Sequence, residues 1–314
     1  MMKMTLTECI GFLKECDGVL IVTHSRPDGD TLGSAAALCH ILRSLNKTAY
    51  LIENPETTET YLQWVSPYLA PADFIPSCVI AVDLAAETMF PKGFDKTTHV
   101  DLCIDHHPTN SYYAERVYCL PEKASCGEII LSIAQEFGLL DKTAANLLYI
   151  AVSTDCGCFA YGNTGADTHR AAADLIDAGA DAAGLNKILF RTVSFSRLML
   201  EGLIYSGMKR YADGAVSVAL VTLDMMQRAG ATEDDCDDLS SLVGKVAGTR
   251  VGVTIRERDD GQCRVSLRSS ADFDSSAICA LHGGGGHKMA SGCTVEGTPE
   301  QTRDIIVHDI LEAL

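Results

Sequence analysis

The sequence predicts an α/β fold with an N-terminal open, mostly parallel sheet flanked by helices, a helical linker, and a smaller C-terminal α/β domain. Three observations carry the prediction. Short runs of β-branched and apolar residues alternate with helix-period segments from residue 18 to about 180. These runs are almost continuously apolar, as strands covered on both faces are. The 314 residues are enough for two domains of ordinary size.

GVLIVTH (18–24), TAYLIEN (48–54), SCVIAVDL (77–84) and HVDLCIDHH (99–107) read as strands, each closing on polar residues. Helical spacing joins them over 31–45, 127–137, 142–153 and 166–178. In such a sheet, His24, Asp83 and Asp105 stand at strand C-termini along one edge, where open α/β sheets bind their ligands. Domain boundaries are expected at 1–185, 186–212 for a helical connector carrying scattered basic residues, and 213–314. The last part begins with strands over 216–223, 250–258 and 263–269, has a helix between Asp235 and Val246, and ends in a helix from Pro299 to Leu314.

Composition narrows the function. With 25 basic against 42 acidic residues and a net charge of −17, the chain is a poor partner for long duplex DNA, whose binding requires many phosphate contacts. A short anionic substrate is compatible if cations reverse the field in one cleft. Thirteen cysteines, odd in number, scattered and without a C-x-x-C pair, read as reduced core thiols, Cys78, Cys103 and Cys279 among them. Cys156 and Cys158, the nearest pair, read as small side chains in a crowded turn. No uncharged apolar run is long enough to span a bilayer, and the first residues lack a cleavable apolar leader. The expectation is a cytoplasmic protein with no membrane partner, for which a homodimer is compatible.

The chemistry gathers in His24-Ser-Arg-Pro-Asp28-Gly-Asp30-Thr-Leu-Gly-Ser34, where a strand ends and a helix begins. In extended backbone, residues two apart share a side, which would point Asp28 and Asp30 at one place. Taken alone, the segment reads equally as an Asp-rich turn with Asp30 as the helix N-cap. Asp83, Asp105-His106-His107 and Asp155 follow apolar runs in the same way, and a charge there is costly unless paired or metal-bound. Near the C-terminus, His282-Gly-Gly-Gly-Gly-His287-Lys288, after Arg268-Ser269, offers backbone N–H groups and cations to an anion, or is a flexible surface turn.

These motifs, in this order, resemble the DHH phosphoesterases, named for the segment that is Asp105-His106-His107 here. The run from Gly284 to Gly292 resembles the signature of the DHH-associated domain, and the two resemblances cover nearly the whole chain. The resemblance implies one metal on His24, Asp28 and Asp83 and a second on Asp30, Asp83, His106 and Asp155, with Asp83 bridging and His107 facing the phosphate. His107, Asp83 and Asp30 would then be catalytic, and Arg268, Ser269, Gly284, Gly285, Gly286 and His287 would bind substrate in a domain that closes over the first. Four carboxylates with two imidazoles suit two Mn2+, with Mg2+, zinc or another divalent cation also compatible. Two such cations balance four Asp charges and can activate water for in-line attack.

The length resembles the stand-alone subgroup that degrades short single-stranded RNA and dephosphorylates 3′-phosphoadenosine 5′-phosphate (pAp). The alternative is a phosphodiesterase for pApA or cyclic di-AMP. An inorganic pyrophosphatase disagrees with the glycine run, and a catalytically inert nucleotide-binding regulator disagrees with the complete set of His and Asp residues. The segment after Asp155, CGCFAYGNT, departs from the subgroup, which has Thr after the Asp and a basic or larger polar residue where Ala160 stands. That departure bears on substrate preference.

Overall fold

The structure, a computed structural model, describes residues 2–236 and 238–314, so Met1 and Asp237 lie outside it. It divides into two compact units, Met1–Thr192 and Val193–Leu314.

The first unit runs β1 (Met2–Lys3), α1 (Leu6–Glu15), β2 (Val19–Val22), α2 (Gly29–Ser44), β3 (Ala49–Leu51), α3 (Glu59–Val65), β4 (Cys78–Val82), β5 (Leu102–Asp105), β6 (Arg116–Cys119), α4 (Cys126–Phe137), α5 (Lys142–Asp155), α6 (Ala166–Asp177) and α7 (Ala182–Phe190). Its sheet has the order β1-β6-β5-β4-β2-β3, and every pairing is parallel. All strand C-termini therefore share one edge. The order reverses between β4 and β2, and the crevice at such a reversal is where these sheets bind ligands.

Helix α2 is buried on nearly every side, as a helix between a sheet and a second helical layer must be. Gly33 lets it touch α5, since a Cβ there would lie 2.5 Å from the Leu147 carbonyl and 2.9 Å from the Ala151 nitrogen. The small, hence close, contact sets the relative position of the two helices. Four elements escape the sequence reading: β1, α1, α3 and β6. Three are very short, and α1 declares itself only through its Thr5–Glu8 capping box.

The second unit runs α8 (Phe195–Gly207), β7 (Lys209–Tyr211), β8 (Val216–Val221), α9 (Leu223–Ala229), β9 (Val251–Glu257), β10 (Gln262–Ser269), α10 (Ser275–Leu281), β11 (Gly285–His287), β12 (Ala290–Glu296) and α11 (Pro299–Ala313). The sheet order is β11-β12-β10-β9-β8-β7, antiparallel except for β8 with β9. Alternation along β10 buries Cys263, Val265 and Leu267 in one core and turns Arg264 and Arg268 outward.

The helix expected between Asp235 and Val246 is not formed. Its place is taken by separate 3-10 turns, Asp234–Cys236, Leu239–Ser241 and Val243–Lys245, with Asp238 in the left-handed region at φ 52°. That φ breaks an α-helix, while Leu239, Leu242 and Val243 still reach the core. The chain changes unit inside the stretch read as a connector. Leu185 of α7 packs into the first core, and Leu200 and Ile204 of α8 pack into the second unit. Among the described residues no helix is long and apolar enough to cross a membrane. All thirteen cysteines are free thiols.

Candidate metal centre

Asp28 reaches the sheet edge as the extended N-cap of α2, and Asp30 from the first turn of that helix. Asp28 is the N-cap, its Oδ1 accepting from the N–H groups of Asp30 at 3.0 Å and Thr31 at 3.1 Å. The alternative of Asp30 as N-cap is thereby corrected: Asp30 already sits in the first turn and its carboxylate is used elsewhere. It accepts from Cys126 N at 2.7 Å, Gly127 N at 2.9 Å and Ser34 Oγ at 3.0 Å. The N-terminus of α4, which favours negative charge, thus holds a fully buried carboxylate. A side chain on Gly29 would collide with Thr154 near the end of α5, so glycine is required for α2 to begin here. Asp28 and Asp30 also do not converge on one point. Asp28 groups with His24 and Asp83, whereas Asp30 groups with His106 and Asp155.

Asp83 joins the two groups. It follows β4 with φ 56°, a left-handed conformation that is rare and costly for a side-chain-bearing residue and typical of functional sites. Its Oδ2 lies 3.7 Å from His24 Nε2, and its Oδ1 lies 3.4 Å from His106 Nε2. His24 Nε2 is 3.6 Å from Asp28 Oδ1, and His106 Nε2 is 3.7 Å from both Asp30 Oδ2 and Asp155 Oδ2.

Each imidazole is oriented through its other nitrogen. His24 Nδ1 donates to the Ser25 carbonyl at 2.7 Å and His106 Nδ1 to the Lys123 carbonyl at 3.1 Å. Carbonyls only accept, so Nδ1 carries a proton and Nε2 is the nitrogen turned to the carboxylates, bare whenever the ring is neutral, the arrangement found behind metal-ligating histidines. His107 differs. Its Nδ1 is bonded at 2.7 Å to Asp105 Oδ1 on β5, and Asp105 is itself held by Asn110 Nδ2 at 2.6 Å and His106 N at 2.9 Å. Asp155 ends α5 and is steadied by Asn163, which donates to its carbonyl at 3.2 Å and to the Ala124 carbonyl at 3.1 Å.

The electrostatics of the bare cluster are conflicted. Burial, reinforced by Asp83 and Asp155, pushes Asp30 well above the ordinary carboxylate range. Burial likewise raises Asp83, and raises Asp155 to about 6. Burial alone would lower the histidines, but Asp28 and Asp83 carry His24 to about 9, and Asp83 and Asp30 carry His106 to about 10. Asp83 Oδ1 is buried without a hydrogen-bond partner, a costly state for a carboxylate oxygen. A set of oxygens and bare imidazole nitrogens 3.4–3.7 Å apart, one of them orphaned, fits divalent cations that are six-coordinate and oxygen-rich.

In the second unit, Arg268 is exposed on β10, and His287 is exposed at the end of β11. Ser269 is committed to the backbone, donating to Phe273 O at 3.1 Å with Lys288 O at 3.3 Å. The glycine run is not a loose turn. Gly285–His287 is an edge strand paired with β12. Gly284 and Gly286 are needed because a Cβ on either would strike β12, while a Cβ on Gly285 would meet open space. An edge strand keeps alternate N–H groups unpaired by the ladder, and Gly285 lets a ligand approach them. His282, bonded to Asp309 Oδ2 at 2.7 Å, anchors the run to α11.

Sequence reasoning missed Ser34, Asn110, Lys123 and Asn163, which hold the cluster without joining it. Only Ser34, one helical turn after Asp30, had a sequence signal.

The first unit concentrates Asp and His at the strand-order reversal of a parallel sheet, and the protein is a hydrolase of the phosphoesterase class. The chain belongs to the DHH family: the DHH family N-terminal domain matches residues 18–152 and the DHHA1 domain matches residues 214–313. It is 32% identical over 309 residues to a bifunctional oligoribonuclease and PAP phosphatase of Thermus thermophilus, covering 96% of this chain and 92% of that one. The Bacillus subtilis protein of the same description is 27% identical, with 95% of each chain covered. An exopolyphosphatase-related protein from Bacteroides fragilis has the same fold, with a TM-score of 0.88 at 23% identity over 98% of this chain and 95% of its own.

Proposed function

We propose that the chain hydrolyses short oligoribonucleotides to mononucleotides and pAp to AMP, in the cytoplasm, with two Mn2+, or other divalent cations, held by His24, Asp28, Asp30, Asp83, His106 and Asp155. The observation that carries this reading is Asp83, which gives one oxygen to each histidine-bearing group and leaves a buried oxygen unpartnered. Relatives named for these two activities, aligned over nearly their full length, support the substrate class. When bound, the cations supply Lewis-acid polarisation of a phosphate and acidification of water.

The chain's own residues do the rest. The Nδ1 bonds of His24 and His106 fix their rings with Nε2 toward the carboxylates, so the donor set is oriented before substrate arrives. Asp105 holds the proton on His107 Nδ1 and, through that bond, raises the affinity of His107 for a second proton. The ring then donates from Nε2 to a phosphate oxygen, and charge builds on that oxygen during displacement. Arg268, Ser269, Gly284, Gly285, Gly286 and His287 bind the nucleotide, Arg268 through its guanidinium and the glycine strand through its outward N–H groups.

The test ranks kcat/KM for pAp, an RNA trimer, pApA, cyclic di-AMP and pyrophosphate with Mn2+. pAp and the trimer are expected to lead, and a lead for cyclic di-AMP or pyrophosphate would overturn the reading. Arg268→Ala is expected to raise KM about tenfold or more with a smaller change in kcat, because it removes binding rather than chemistry. Light scattering checks whether the chain is a monomer or a homodimer.

A further inference from the structure

Loops that follow β2, β3 and β4 meet beside the metal centre and carry charges that the reaction above leaves unused. Arg26 lies between the ligands His24 and Asp28 and adopts φ 52°, where an arginine is strained. Glu56 holds it there, accepting from Arg26 N at 3.2 Å with Oε2 and pairing with Lys92 Nζ at 3.0 Å through Oε1. Buried Asn54 ties this arrangement to the centre, donating to the His24 carbonyl at 3.0 Å and accepting from Glu56 N at 3.0 Å. Ser25 N donates to the Met89 carbonyl at 2.6 Å, which brings the segment before Lys92 alongside. Arg26 is exposed, and its guanidinium makes no hydrogen bond or ion pair with a described residue. Lys92 is 80% exposed. Glu56 spends its carboxylate on the Arg26 backbone N–H and on Lys92, which leaves the Arg26 guanidinium without a carboxylate partner in a chain of net charge −17.

We propose that Arg26 and Lys92, positioned by Glu56, form a phosphate-binding subsite for a substrate phosphate other than the one hydrolysed. The placement selects this role. Arg26 stands two residues from His24 and two from Asp28, so it flanks the group that those residues form with Asp83 without joining it. An arginine side chain so placed spans to a phosphate next to the one hydrolysed, and an exposed, unengaged guanidinium can take it in bidentate fashion. The inference rests on the hydrolytic reading above and deepens it, naming 5′-phosphorylated nucleotides as the preferred class.

The experiment compares kcat/KM for pApA and for ApA, which lacks the 5′-phosphate, in wild type, R26Q, R26G, K92Q and E56Q with Mn2+. Wild type is expected to prefer pApA, and R26Q and R26G to reduce that preference at least tenfold through KM, with K92Q and E56Q having smaller effects in the same direction. R26G is also expected to keep its bound Mn2+ and to melt no lower than wild type, because glycine adopts this φ without strain. A wild type without preference, an unchanged ratio in both Arg26 variants, or loss of Mn2+ from R26G would overturn the subsite. A wild type that cleaves neither substrate would instead overturn the hydrolytic reading.

Discussion

At the scale of single residues, what counts is how each side chain is held. Asp83 cannot be replaced by a neighbour, since its two oxygens face different groups. Asp83→Ala is expected to lower kcat/KM by about 10³ or more, the order lost when a preorganised electrostatic group is removed, and to lower bound manganese by elemental analysis. Retained turnover would show that Asp83 is not shared. His107→Asn is expected to leave manganese content unchanged and to slow kcat about 10²–10⁴-fold, the range for a positioned proton donor. Metal loss in that variant would make His107 a ligand. Asn110→Ala acts one bond further out, freeing Asp105 and with it His107, and is expected to cost about 10–100-fold in activity. The residue identities at the centre were legible because a carboxylate after an apolar run demands an explanation. Asn110 and Asn163 were not, because an asparagine in a loop has many uses and only the folded backbone shows which group it meets.

At the scale of elements, α2 with its N-cap and α5 deliver three of the six proposed ligands, Asp28, Asp30 and Asp155, and the close approach of the two helices depends on Gly33. Gly33→Ala places a methyl against backbone atoms that cannot move aside. It is expected to cost about 1–3 kcal/mol, typical of overpacking, in denaturant unfolding. Activity should fall further than stability, since Asp30 and Asp155 shift with the helices, and a variant with full activity would sever that link. Four strands of the first sheet, β2 to β5, were legible to within a few residues from apolar runs alone, whereas β1 and β6 were not. The glycine run was not legible as β11, because its pairing with β12 supplies an ordering that four glycines lack. Nor were the 3-10 turns after α9, where the apolar spacing suits a helix but Asp238 takes a left-handed φ.

For the whole molecule, cation binding and pH are coupled. His24 and His106 have their pKa values raised from 6.5 to about 9 and about 10 when no cation is present. A raised folded-state value means that imidazolium stabilises the fold fully below about pH 6.5, and that this contribution is lost as pH rises through 9 and then 10. A cation in either group must displace the proton of that group's histidine, so its apparent affinity should rise with pH up to about 9, by up to about tenfold per unit. Calorimetry at pH 6, 7 and 8 in buffers of different ionisation enthalpy measures the protons released, and an affinity independent of pH would refute the coupling. The sequence by itself determined the two-part α/β plan, the sheet edge that collects His24, Asp83 and Asp105, and the donor types, because apolar period and the cost of charge beside a core are local properties. Tertiary structure decided that Asp28 caps α2 while Asp30 enters its first turn, that α4 holds Asp30, and that Arg26 and Glu56 stand beside the centre. The last two are meetings between distant segments, and only packed helices and a fixed strand order determine which segments meet.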